Sequence, residues 1–138
     1  MGRRRQGGMT ILIVEDHQHT LAAVQALLSK AFPACRVIAA ENAERALELC
    51  KTNAPQVVVM DIVLPGMDGI KTTRRIKSML PGTSVVIHSS YDIDIYRDES
   101  AAAGASAFVA KSRTFSDLVP TIASLLPPAG PTRFDKDS

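Results

Sequence analysis

The sequence predicts an α/β protein: a parallel sheet sandwiched between helices. Three observations carry this. Five short apolar runs alternate with stretches of helical period along the 138 residues. The runs are apolar on both faces, as strands covered by crossover helices require. Four of the five end in residues able to do chemistry: Glu15 and Asp16 after residues 11–14, Asp61 after 57–60, Ser89 after 85–87 and Lys111 after 108–110. In a parallel sheet those carboxyl ends lie side by side, so the five would meet in one acidic pocket with a hydroxyl and an ammonium at its rim.

The first strand covers residues 10–15. The next segment puts Leu21, Val24, Leu28 and Phe32 on one helix face and must end before Pro33. Strand two is 36–40. Asn42 caps a second helix with Ala43, Ala46, Leu47 and Cys50 inward, and Asn53-Ala54-Pro55 stops it before strand three at 57–60. Pro65-Gly66-Met67-Asp68-Gly69 is a turn and helix entry without direct chemistry; the third helix aligns Ile70, Thr73, Ile76 and Leu80 and breaks at Pro81-Gly82. Strand four is 84–89. A fourth helix covers 92–103, with Gly104 as its C′ residue, because a left-handed conformation costs glycine little. Strand five is 105–110, and a last helix carries Phe115, Leu118, Val119, Ile122, Leu125 and Leu126. Pro120 would cost about 3 kcal/mol in a helix interior, less if Thr114 or Ser116 is the cap and the proline lies in or just after the first turn.

At this length the chain buries roughly two-thirds of its unfolded surface in one core and is too short for two ordinary domains. Residues 1–8 read as a flexible leader, 9–126 as the domain, and 127–138, opening with Pro127-Pro128-Ala129-Gly130-Pro131, as a linker or tail. The net charge of +2 is nearly balanced, and Arg3-Arg4-Arg5 lie outside any periodic segment, so nucleic-acid binding by the folded part is not expected. No run approaches the roughly 20 apolar residues of a membrane span, and Gly7-Gly8 stand where a signal peptide would need an apolar region. Cys35 and Cys50 lack a C-x-x-C spacing and read as reduced, structural thiols of a cytoplasmic protein.

Three carboxylates within about 4 Å would repel by several kcal/mol per pair at an effective dielectric near 20. One lysine does not neutralise that comfortably; a divalent cation does. The candidate donors are oxygens, which favours magnesium or manganese over zinc, and His17, His19 and His88 lack the spacing of a zinc site.

These residues together resemble the receiver domain of two-component response regulators. The matches are Ile13-Val14-Glu15-Asp16, Val59-Met60-Asp61 followed by Leu64-Pro65-Gly66-Met67-Asp68-Gly69, Ser89, and Gly104-Ala105 leading to Phe108 and Lys111, over about residues 9–126. The resemblance implies a flavodoxin-like fold with strand order 2-1-3-4-5 and helices on both faces. It makes Asp61 the phosphoacceptor and Asp16 and Asp61 direct Mg2+ ligands, with Glu15 acting largely through water and the Val63 carbonyl as a further ligand. Ser89 would hydrogen-bond the phosphoryl group and Lys111 would pair with it. Ser89 and Phe108 would form the switch, the hydroxyl moving toward phosphate as the ring turns inward. The implied partners are a histidine kinase or phosphotransfer protein, an output domain and a second copy of the chain, reached through the face of the fourth helix, fifth strand and fifth helix.

Some positions depart from the family pattern. The acidic pair is Glu-Asp where Asp-Asp is common, and Phe108 stands where tyrosine is frequent. Ser112 replaces the usual proline, resembling the branch that precedes a helix-turn-helix DNA-binding domain. Val63 and Tyr91, beside the pocket, are the candidates for tuning dephosphorylation. Such a chain is not an enzyme beyond its own phosphoryl transfer and dephosphorylation. A metal-dependent phosphohydrolase would place a second acid where Val63 stands. A phosphorylation-independent interaction module is the stronger alternative, yet has no use for the whole acid, hydroxyl and lysine set.

Overall fold

The computed structural model describes residues 8–128. The expected leader and tail fall outside the described residues except for Gly8, Pro127 and Pro128. The elements are β1 (Thr10–Val14), α1 (Gln18–Ala31), β2 (Arg36–Ala40), α2 (Ala43–Asn53), β3 (Val57–Met60), α3 (Gly69–Met79), β4 (Ser84–Ser89), α4 (Asp94–Ala102), β5 (Ala107–Ala110) and α5 (Val119–Leu125). All strand pairs are parallel and the order is β2-β1-β3-β4-β5, as the resemblance implied.

Side-chain alternation divides the core. Leu12, Val14, Val58, Met60, Val85 and Ile87 face α2 and α3 through Ala46, Cys50, Ile70 and Ile76. Ile11, Ile13, Val57, Val59, Val86 and Val109 face α1 and α5 through Leu21, Val24, Leu28 and Ile122. A fully buried aliphatic side chain contributes about 2 kcal/mol, so a sheet sealed on both faces holds its register firmly.

Local chemistry sets the helix ends. Asn42 accepts from the Arg45 N–H and Asp68 from the Lys71 N–H, each capping its helix. Gly104, at φ +103°, terminates α4 in the left-handed region, while Ala54 takes that role after α2 at φ 43°. The two cysteines are free, and burial pushes the Cys50 thiol up to about 11.

Several boundaries differ from the expectation. β1 stops at Val14, although the Glu15 N–H still bonds the Ala40 carbonyl. α4 starts at Asp94 rather than 92 because Ile93 is extended. β5 begins at Ala107 rather than 105; Ser106 makes one bond to the Val85 carbonyl without joining the ladder. The last helix departs most. A 3-10 turn, Lys111–Arg113, runs into a π-turn, Thr114–Leu118, and Pro120 is the second residue of α5. Neither Thr114 nor Ser116 caps it: their hydroxyls donate backward to the carbonyls of Lys111 and Arg113. A widened turn before Pro120 accommodates a ring that would meet the carbonyl four residues earlier in a regular helix.

Candidate functional site

Strand register assembles the site. Val14 pairs with Met60, Met60 with Ile87 and Ser89 with Ala110, so Glu15, Asp16, Asp61, Ser89 and Lys111 all emerge at one edge of the sheet. The Asp61 N–H donates to the Val14 carbonyl at 3.1 Å, locking the first acid of β3 beside the pair that follows β1. The order β2-β1-β3 reverses direction here, where open α/β sheets form their crevice.

Gly69, the first residue of α3, permits the close approach behind Asp61. Its N–H donates to the Ile62 carbonyl at 2.8 Å, and a Cβ built on it would stand 1.9 Å from the Asp61 carbonyl oxygen. Only glycine fits there without backbone movement.

Lys111 reaches across the crevice. Its Nζ lies 2.8 Å from Glu15 Oε1 and 3.1 Å from Asp61 Oδ2. Glu15 and Asp61 are almost wholly buried, at 2% and 4% exposure, and Asp16 is half-buried. Burial opposes ionisation of Glu15, but the Lys111 ammonium and the His17 N–H outweigh it and hold this carboxyl below its usual range. Asp61 goes the other way: burial and the neighbouring Glu15 charge raise it despite Lys111 and the Val63 N–H. Burial would lower the Lys111 ammonium, yet Glu15 and Asp61 outweigh it and raise it.

Three carboxylates face one ammonium, leaving the pocket two charges negative. Ligand atoms of Glu15, Asp16, His17 and Asp61 all lie within 4.8 Å of one another. Asp16 Oδ1 is buried and accepts no hydrogen bond, and Glu15 Oε1 has only the ammonium contact. Unsatisfied carboxylate oxygens converging in a negative pocket fit a hard divalent cation.

The other expected residues take distinct places. Ser89 is fully buried at the end of β4, and its Oγ accepts from the Tyr91 N–H at 3.0 Å, so the hydroxyl is engaged with the β4–α4 turn. Phe108 is half-buried against the α2/α3 side of the core, with the Arg97 guanidinium 4.5 Å above its ring. Val63 donates its N–H to Asp61 Oδ1 at 3.3 Å and exposes its side chain, as does Tyr91.

His17, which the sequence marked only as lacking the spacing of a zinc site, is a neighbour of the acids. Its backbone N–H and Nδ1 lie 3.1 and 3.2 Å from Glu15 Oε2. Its position immediately after the acidic pair was the available signal. Arg97 was also missed; it pairs with Asp92 at 2.5 Å while covering Phe108, a contact set by tertiary packing.

Comparison with known proteins gives a consistent likeness. Residues 11–123 match the response regulator receiver domain family. The chain is 28% identical over 117 residues to the Fimbriae Z protein of Salmonella typhimurium, covering 85% of this chain and 56% of that protein. It thus spans about half the length of that curated relative. Among solved structures, the signal receiver domain of a DNA-binding response regulator from Colwellia psychrerythraea 34H is 30% identical, with a TM-score of 0.80 over 85% of this chain and 97% of that one. The BeF3-activated N-terminal receiver domain of Klebsiella pneumoniae RstA is 28% identical, with a TM-score of 0.79 over 86% and 99%.

Proposed function

Because the chain belongs to the response regulator receiver domain family, we propose that Asp61 is its phosphoacceptor and that residues 9–126 form the receiver. The carrying observation is the Lys111 ammonium held at 3.1 Å from a buried Asp61 carboxylate among two further acids.

An ionised Asp61 oxygen attacks phosphorus and forms a new P–O bond as the bond to the donor's leaving atom breaks. The leaving group departs with the electron pair and takes a proton from solvent. The product is an acyl phosphate. Lys111 offsets charge on the transferred oxygens, an interaction that strengthens as the group arrives. The burial of Asp61, at 4% exposure, places that electrostatic contact in a low-dielectric setting, which strengthens it.

Asp16, Asp61, Glu15 through water and the Val63 carbonyl would hold Mg2+. The ion would supply Lewis-acid stabilisation of phosphoryl oxygens and relieve repulsion among the carboxylates. Ser89, at the β4 end, would exchange its Tyr91 contact for a phosphoryl oxygen, and Phe108 would respond by turning inward. Moving such a population from mostly off to mostly on needs roughly 5 kcal/mol, within reach of a few charge-assisted hydrogen bonds.

The phosphodonor partner we assign is a histidine kinase or phosphotransfer protein. An output domain or a second copy would read the state through α4, β5 and α5. The free thiols suit a reducing, cytoplasmic location. Among the described residues no helix is long and apolar enough to cross a membrane. Incubation with magnesium and acetyl phosphate followed by intact-mass measurement tests the reading. One added phosphoryl group supports it; an unmodified protein favours a passive interaction module.

A further inference from the structure

We propose that His88 and Thr114 form a positioning bridge that fixes the backbone of Lys111 against β4, and so fixes the reach of its ammonium toward Asp61. The proposal rests on the phosphoacceptor reading above. Three contacts carry it. His88 Nε2 lies 2.7 Å from Thr114 Oγ1, and both residues are buried, at 2% and 8% exposure. Thr114 Oγ1 donates to the Lys111 carbonyl at 2.8 Å, and the Thr114 backbone N–H bonds the same carbonyl. Lys111 Nζ then spans Glu15 and Asp61.

A hydroxyl has one proton. Directed at the Lys111 carbonyl, it leaves a lone pair for the Nε2–H of a neutral His88. Burial and the Lys111 charge keep that imidazole neutral, lowering it to about 4. The bridge thus joins a central strand to the residue immediately after β5.

The chain needs such a tether because its β5–α5 segment is irregular. A 3-10 turn and a π-turn replace regular helix between Lys111 and Leu118, so the Lys111 carbonyl is held by the i to i+3 bond from Thr114 rather than by an i to i+4 ladder. A polar histidine directly after the apolar run Val85-Val86-Ile87 of β4 supplies a further fixed point. His88 precedes Ser89, so the bridge also ties the lysine to the strand that carries the candidate switch hydroxyl.

Thr114→Val keeps the side-chain shape and removes the hydroxyl; Thr114→Ser keeps the hydroxyl. Phosphorylation by acetyl phosphate at saturating magnesium should slow about 10-fold in Thr114→Val and recover in Thr114→Ser. The magnesium dissociation constant, measured by calorimetry, should stay within twofold of the parent, since no carboxylate has changed. Equal rates in folded Thr114→Val and parent overturn the bridge while leaving the role of Asp61 intact. A parent that takes up no phosphoryl group overturns the functional reading, and histidine NMR then judges the bridge alone. The parent at pH 7 should show a neutral Nε2–H His88, and a charged or Nδ1–H imidazole contradicts it. The same spectrum decides the matter if Thr114→Val does not fold.

Discussion

Lys111 Nζ stands 3.1 Å from Asp61 Oδ2 although fifty residues separate them in sequence. The same ammonium is 2.8 Å from Glu15, so one cation holds together the ends of β1, β3 and β5. Each acid it touches is almost fully buried. The pocket's stability and its chemistry therefore share a residue.

Lys111→Ala leaves two buried carboxylates without their cation. Breaking a buried pair in this way costs about 3 kcal/mol. Urea unfolding should show that loss in a chelator, a smaller one in excess magnesium, and slower phosphorylation in either case.

Asp61→Asn removes a carboxyl whose ionisation is opposed by burial and by Glu15. A group with a raised folded-state pKa destabilises the fold once ionised, so the variant should melt at or above the parent temperature without divalent cation. It should take up no phosphoryl group. Differential scanning calorimetry and intact mass measure the two effects.

Divalent cation should stabilise the parent through linkage, by about 2.7 kcal/mol at one hundred times its dissociation constant. Asp16→Asn, which alters the acid with an unsatisfied buried oxygen, should reduce most of that gain. Thermal shifts across a magnesium titration provide the comparison.

His88 gives the fold an acid sensitivity. Its imidazole falls from 6.5 to about 4 through burial first and the Lys111 charge second. Between those values the unfolded chain binds a proton that the native state does not. Stability is therefore flat with respect to this group above pH 6.5 and falls as pH drops toward 4, by up to about 3 kcal/mol. His88→Gln should flatten that part of the pH dependence in denaturant titrations.

Gly69→Ala forces a methyl to within 1.9 Å of the Asp61 carbonyl oxygen. The backbone behind the acid must move, so a loss of about 2 kcal/mol or more is expected, together with slower phosphorylation. Chemical denaturation and the rate of phosphoryl uptake report both.

The sheet was legible because its signal is local: apolar runs such as Val57–Met60 can be read without knowing their neighbours. The convergence of Glu15, Asp16, Asp61 and Lys111 followed from parallel strand ends sharing an edge. The entry to α5 was not legible. Pro120 signalled a disturbance, but the π-turn ahead of it begins at Thr114, whose contact with His88 joins residues 26 apart and is invisible to a local pattern. His17 was hidden for a similar reason, since its Glu15 contact depends on how the chain turns into α1. Phe108 was singled out by its place in the family pattern, whereas the guanidinium covering it comes from Arg97 on α4, whose packing the pattern does not encode.

Tandem mass spectrometry of the protein after acetyl phosphate and magnesium, with the acyl phosphate trapped by borohydride reduction, tests the central claim most directly. The account predicts a single modified residue, Asp61. Modification at Asp16 or Glu15 with Asp61 untouched, or no modified carboxylate in the folded protein, would contradict it.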